Sequence, residues 1–323
     1  MVFPTASDWS GLAERSVVVS FIDLNLRGAG QVIFQDNPLT GLLFLLAVIW
    51  GAGAAGDPGV AIGAVVALLV ANLTAMLLAA DEGALRQGLF GFNGLLVGAA
   101  MPTFLGGTPT MWVLLVLGAA VSTVVMLAVT AVMRTVGAPA LTAPFVLTSW
   151  LLLVAAYSLA NLAIAGMGPP ALAQAPIPAP SPLAGAMPLL QAWLKGPAQI
   201  FLIDDALSGV LVIIGLAVSS LRAAGVALLG SAVALGVSLA LGADLAAIAG
   251  GLYGFSPVLT AVALGCVFYP PSARAALYTL LATILTVIAQ AALAAATAPL
   301  GIPPLTAAFV LVTWLFLLAR PKL

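Results

Sequence analysis

The chain carries one unusual stretch twice. Residues 88–102 read GLFGFNGLLVGAAMP and residues 251–265 read GLYGFSPVLTAVALG, so Phe92 maps onto Phe255 and Leu96 onto Leu259 at an offset of 163. Both copies lie among long apolar runs, yet both are crowded with Gly and carry Pro. A helix that only faces lipid needs neither. A backbone that breaks at membrane depth and lines a cavity needs both.

Two further blocks repeat in the same order. Gly28–Gly41 aligns with Gly196–Gly209 at an offset of 168, which pairs Gln31 with Gln199, Phe34 with Leu202 and Asp36 with Asp204. Pro139–Trp150 aligns with Pro303–Trp314 at an offset of 164, which pairs Thr142 with Thr306 and Phe145 with Phe309. Three blocks in one order and at nearly one spacing mark an internal duplication.

Only 6% of the 323 residues are charged and 63% are hydrophobic, where a soluble domain carries about 25% charged residues. Such a chain cannot cover a water-facing surface. The apolar runs lack the alternation of barrel strands, so the expected class is an all-α integral membrane protein. Runs such as 60–80, 110–133, 223–241 and 275–296 suffice to span, since about 20 residues cross the hydrocarbon. We expect about five transmembrane helices and one re-entrant element per half. An odd number of spans inverts the second half, which gives two inverted repeats. The expected divisions are 1–160, a Pro/Ala-rich linker at 161–187 that reads as a polyproline-like connector, and 188–323.

With both termini cytoplasmic, the count of spans puts Arg15, Arg134, Lys195, Arg274, Arg320 and Lys322 inside and Arg27, Arg86 and Arg222 outside, in agreement with the positive-inside rule. The first residues lack the apolar core of a cleavable signal peptide. The expected location is a multi-pass protein of a bacterial inner membrane.

The net charge is −1, with no basic run, so no nucleic-acid footprint is present. There is no His and a single Cys, Cys266, which removes the commonest proton shuttle, an intrachain disulfide and a thiolate metal cluster. No metal or other cofactor is expected. The polar residues that recur at membrane depth, Gln31 and Gln199, Thr142 and Thr306, are all neutral. Such residues normally face the bundle interior. They suit an uncharged, hydrogen-bonding solute and supply neither an ion filter nor a proton relay. Taken singly, each has a plainer use: Thr bonding its own helix backbone, Gln joining helices, Phe packing on a Leu four residues on. Asp204 and Asp205 read as solvated or capping groups. A membrane enzyme would need a nucleophile–histidine pair or recurring carboxylates, and neither is there. A scaffold without transport has no use for neutral polar residues duplicated at matching positions.

The doubled Gly-Leu-[Phe/Tyr]-Gly-Phe-x-x-x-Leu block, the Gly-x-Gly-Gln31-Val segment and the doubled Leu-Thr-x-[Pro/Ala]-Phe-Val-Leu-x-x-Trp motif resemble the urea transporter family, over nearly the whole chain. The resemblance implies a bacterial urea channel: facilitated diffusion of urea, with small neutral amides or ammonia as the alternative solutes, in a homotrimer with one pore per protomer. It implies slots bounded by Phe92, Leu96, Phe255 and Leu259, central hydroxyls from Thr142 and Thr306, Gln31 and Gln199 at the pore half-helices, and Phe34 and Leu202 as slot walls. Where the first half has Asn93 and Gly94 the second has Ser256 and Pro257, so the roles of Asn93 and Ser256 are expected to differ.

Overall fold

A computed structural model describes residues 6–174 and 182–322. The middle of the expected linker, 175–181, and the first five residues lie outside the described residues. Among the described residues fifteen α-helices follow one another: α1 (Ala6–Arg15), α2 (Val17–Gln31), α3 (Pro38–Ala54), α4 (Pro58–Leu77), α5 (Glu82–Arg86), α6 (Gly91–Phe104), α7 (Pro109–Arg134), α8 (Ala143–Ala156), α9 (Ala186–Ala198), α10 (Ala206–Ser219), α11 (Leu221–Ala240), α12 (Leu245–Ala249), α13 (Phe255–Val262), α14 (Ala273–Thr297) and α15 (Ala307–Leu318). Among the described residues, four helical stretches are long and apolar enough to cross a membrane: α4, α7, α11, and α14 with the 3₁₀ turn that follows it. α9 and α10 form a further apolar pair bent by 71° at a short break. α3, α8, α15 and the continuous segment 255–268 are shorter apolar helices. The protein is thus all-helical, with several apolar spans and a bent, re-entrant-like pair.

Local chemistry sets the helix ends. Asn37 caps α3 through bonds from Leu39 N and Thr40 N, and its repeat mate Asp205 caps α10 through Ser208 N. Thr108 and Ser272 likewise cap α7 and α14. Each side-chain oxygen takes an orphan N–H that would otherwise go unpaired in an apolar medium. The sequence offset changes from 163 at Leu96 and Leu259 to 164 at these two caps. The extra residue is absorbed in a π-helical turn, Ala263–Phe268, for which the first half has an ordinary helix ending after Pro102. A single inserted residue in a helix is accommodated in that way.

The two halves meet through matching bonds. Thr40 Oγ1 donates to Gly215 O at 2.8 Å, and Ser208 Oγ donates to Ala47 O at 2.8 Å, so α3 and α10 run antiparallel, each repeat supplying the same contact to the other. Phe44 packs on Phe201 beside them, with ring centroids 5.4 Å apart. Small residues permit the closest crossings. Gly63 of α4 lies against the backbone of Gly98 of α6, and Gly91 against Asn72, which makes α4 and α6 antiparallel. Leu115 touches Gly63 while Thr123 Oγ1 donates to Ala71 O at 3.0 Å, so α7 runs parallel to α4. Lipid tails are as apolar as the helices, so backbone approach through small residues is what holds such a crossing together.

These directions correct the sidedness expected from the sequence. α4 and α7 both end at the face that carries Arg86 and Arg134. Arg15 lines one surface pocket with Arg86. Gln31, at the far end of α2, bonds Gln87, the residue after Arg86, so both ends of α2 lie near α5. Arg27 pairs with Asp36 at the start of α3. Arg320 Nη2 donates to Val136 O at 2.6 Å, and Tyr278 OH donates to Phe316 O, which brings Arg274 and the start of α14 to that face. Arg222 lines a pocket with Ser272 there. Lys195 lies at the opposite end, paired with Asp204 at 2.7 Å and packed on Gly251. The expectation had separated Arg27, Arg86 and Arg222 from the rest because short helices such as α2 were counted as crossings.

The linker is more than a polyproline connector where it is described. Ile164 bridges to Leu105, Gly106 N donates to Ala163 O at 2.7 Å, Ala165 N donates to Phe104 O at 3.1 Å, and Ala171 N donates to Ala298 O at 3.1 Å. It straps the end of α6 to the end of α14.

Candidate functional site

Both copies of the Leu-Thr motif approach the centre of the molecule after a left-handed residue, Leu141 at φ 54° and Leu305 at φ 50°. A β-carbon makes that conformation costly, so the kink is imposed by the surrounding structure at two matching positions. It places Thr142 and Thr306 at the N-caps of α8 and α15, where neither hydroxyl makes a capping bond. Instead the two oxygens lie 2.7 Å apart and bond each other, each residue only 2% exposed. The plainer reading of these threonines, a hydroxyl folded back on its own helix, is not what is seen.

Two reciprocal bonds hold the loops that carry them. Trp150 Nε1 donates to Pro303 O, and Trp314 Nε1 donates to Pro139 O, both at 2.8 Å. Each Trp of one repeat therefore fixes the approach to the other repeat's Thr. Trp150→Phe is expected to leave the Pro303 carbonyl unpaired at a cost of about 1–3 kcal/mol. Trp314→Phe should do the same at Pro139. A melting midpoint lowered by a few degrees in detergent, for either variant, checks this.

On either side of the hydroxyl pair the repeats again match. Gln31 Nε2 donates to Gln87 O at 2.9 Å and Gln199 Nε2 donates to Gly250 O at 2.7 Å. Each glutamine clips the chain just ahead of a left-handed glycine, Gly88 or Gly251, both at φ 75°. Those glycines press on Gly28 and Lys195, where a β-carbon could not fit. The joining role weighed for the glutamines is thus present, and Gln199 also lines the cavity described next. Phe34 and Leu202 both have φ of 60° at the break after α2 and α9. Phe92 and Phe255 are 7% and 8% exposed, and Leu96 and Leu259 are fully buried.

A cavity of about 390 Å³ opens on the second-repeat side, and Gln199, Leu202, Phe255 and Thr306 line it. Phe104, Phe145 and Tyr253 complete its aromatic wall. The matching positions on the other side are Phe34, Phe268 and Phe309. There the Phe34 ring meets Phe268 and Phe309 edge-on, with centroids 5.9 and 6.1 Å apart. Leu202 has no ring to do the same, and the cavity remains.

Sequence reasoning did not single out Phe104, Phe145, Phe268, Phe309 or Gln290. Phe145 and Phe309 were visible in the doubled motif. Phe104 and Phe268 align only once the π-turn is known. Gln290 reports the expected inequality of Asn93 and Ser256. Asn93 Oδ1 accepts from Phe145 N at 3.0 Å, in the first turn of α8, whereas Ser256 is shorter and donates to Gln290 Oε1 at 3.1 Å. Gln290 also lines the cavity, and its repeat mate is the apolar Met126.

The chain matches the urea transporter family over residues 22–321. It belongs to that family. Urea transporter 1 of Mus musculus is 30% identical over 314 residues, covering 96% of this chain and 80% of that protein. Urea transporter 1 of Ovis aries is 29% identical over 317 residues, with the same coverage. Membership in the urea transporter family makes the protein a multi-pass membrane transporter and not an enzyme.

Proposed function

We propose that the protein conducts urea by channel-like facilitated diffusion through a narrow path that passes between Thr142 and Thr306. The observation that carries this reading is the 2.7 Å bond between the two hydroxyls, buried and contributed symmetrically by two matching loops. Family membership supports urea as the solute. Urea is planar and neutral, with N–H donors and one carbonyl acceptor. Losing its water partners without replacement costs several kcal/mol, roughly 2–7 for an amide-like group. The two hydroxyls can exchange their mutual bond for one bond each to the solute, so the constriction gives up about as much as it supplies. Gln31 and Gln199 keep an amide oxygen to accept from urea N–H after their NH₂ groups have clipped Gln87 and Gly250. Phe92 with Leu96 and Phe255 with Leu259 form flat slots on the two sides of the hydroxyls, and Phe34 and Leu202 are their outer walls. Rings on both faces admit a planar molecule, and a path of neutral groups gives an ion nothing for its lost hydration.

In this reading residues 1–160 and 188–323 are inverted halves of five crossings each. The crossings are α3, α4, α6, α7 and α8 in the first half. Their mates are α10, α11, the segment 255–268, α14 and α15. The re-entrant half-helices are α2 and α9. Arg15, Arg27, Arg86, Arg134, Arg222, Arg274, Arg320 and Lys322 share one end, and Lys195 alone has the other. The positive-inside rule makes the first end cytoplasmic, with both chain termini there. A homotrimer with one path per protomer follows from the resemblance to the family.

The test is stopped-flow urea flux into proteoliposomes. Fast flux that saturates with urea and exceeds that of empty vesicles is the expected result. Flux equal to that of empty vesicles, from protein that is folded, overturns the reading. Leu202→Phe adds a second check. Phe34 shows that the left-handed backbone at this position carries a Phe in the other half, so the variant should fold. Its ring should fill the space beside Phe104 and Phe145 and lower urea flux several-fold. Unchanged flux would place the path elsewhere.

A further inference from the structure

The repeat provides an internal control for a groove that only one half possesses. In the first half α4 and α7 close on each other: Leu115 fills the space over Gly63, and Met111 and Leu115 are fully buried. The matching residues on α14 are Ala275 and Thr279, both smaller, while Val226 of α11 stands where α4 has Gly63. They leave a groove of about 510 Å³ between α11 and α14, floored by Gly265 of the π-turn. Its α11 wall runs from Arg222 through Val226 and Leu229 to Val233. At 1.5 Å per residue that is about 16 Å, the depth of one leaflet of a hydrocarbon core about 30 Å thick.

The groove is apolar along its length and polar at one end. Arg222 stands where the first half has Gly59. It is exposed, it donates to Gly265 O, and no carboxylate pairs with it among the described residues. Next to that carbonyl lies Thr279: a β-carbon on Gly265 would be 3.4 Å from Thr279 Cγ2. Thr279 is 7% exposed, and its hydroxyl is buried without a hydrogen-bond partner. Such a group is costly in an apolar setting unless something enters to accept from it.

We infer that this groove holds a glycerophospholipid, with one acyl chain laid along Val226, Leu229 and Val233, the phosphate on Arg222 and an ester carbonyl accepting from Thr279 Oγ1. Charge complementarity selects this occupant. A cation at the interface end, an orphan donor just below it and an apolar channel one leaflet deep match phosphate, ester and acyl chain in that order. Arg222 lies at the end that carries most of the basic residues, where anionic headgroups are attracted.

The test uses full-length protein in mild detergent. Native mass spectrometry of wild type should show retained phospholipid, and phosphatidylglycerol added to delipidated wild type should raise its melting midpoint. Phosphatidylcholine should raise it less, and inorganic phosphate alone not at all. Ala275→Met with Thr279→Leu installs the side chains that already pack at these positions in the first half. This variant should lose both the retained lipid and the response. Arg222→Gln, a surface change that folding should tolerate, should keep phospholipid binding but lose the preference for phosphatidylglycerol over phosphatidylcholine. The inference is overturned if the filled variant retains the wild-type lipid complement. It is also overturned if filling the groove changes the mass of the oligomer and leaves lipid binding unchanged, since a second copy of the chain would then be the occupant.

Discussion

Gly63→Leu should prevent the protein from reaching its folded state in usable yield. A β-carbon at Gly63 would run into the carbonyl oxygen of Gly98, with Leu115 Cδ1 at 2.9 Å and Pro102 Cγ at 3.1 Å closing the other directions. The obstruction at Gly98 is backbone, which cannot turn aside as a side chain does. The crossing is reciprocal, because Gly98 in turn faces Gly63 O and the Ala67 methyl. Overpacking a core usually costs about 1–3 kcal/mol. Here relief requires separating α4 from α6, and with it the buried length of α6 that carries Phe92 and Leu96. Gly236→Leu is the matched control: it lies on an exposed face of α11 and nothing stands within 4 Å of an added β-carbon. Size-exclusion recovery and melting in detergent should show loss of the monodisperse peak for Gly63→Leu and near wild-type behaviour for Gly236→Leu. Equal recovery of the two would contradict the close crossing.

Much of the geometry at the candidate site could be read from the duplicated blocks. Gln31 with Gln199, Thr142 with Thr306, and Phe34 with Leu202 each take up matching bonds or matching backbone angles in the structure. A repeat preserves residue and spacing together, so pairs of this kind survive as a pattern in one chain. What the sequence hid is of three physical kinds. The sidedness of the basic residues was hidden because α2, at 15 residues, looks like a short span, whereas its bond to Gln87 keeps its far end beside Arg86. The alignment of Phe104 with Phe268 was hidden by the single residue taken up in the π-turn. The partners of Trp150 and Trp314 were hidden because each is a backbone carbonyl in the other repeat, and any residue type can supply a carbonyl. The same holds for the linker, whose apolar residues 162–165 spell no strand yet bond to the end of α6.

Thr142→Val together with Thr306→Val should cut urea flux by about one to two orders of magnitude while leaving the fold intact. Val keeps the shape of Thr and removes only the oxygen. In the resting protein the two hydroxyls bond each other, so replacing both removes a donor and its acceptor at once and leaves no polar atom orphaned, an exchange that is close to neutral for stability. The solute fares differently. At the constriction urea would face two methyl groups where it had two hydrogen-bonding partners. Each unpaired polar group costs about 1–3 kcal/mol, and about 1.4 kcal/mol is a tenfold change in rate. A single Val should do less to flux than the pair but more to stability, because it strands the remaining hydroxyl.

The most direct measurement is stopped-flow urea flux in proteoliposomes for wild type and the double valine variant, at matched protein incorporation and with melting curves alongside. Fast wild-type flux that falls by about tenfold or more in the double variant, with little change in melting, is the result predicted for a solute that passes between the two hydroxyls. Equal flux in the two proteins would contradict it.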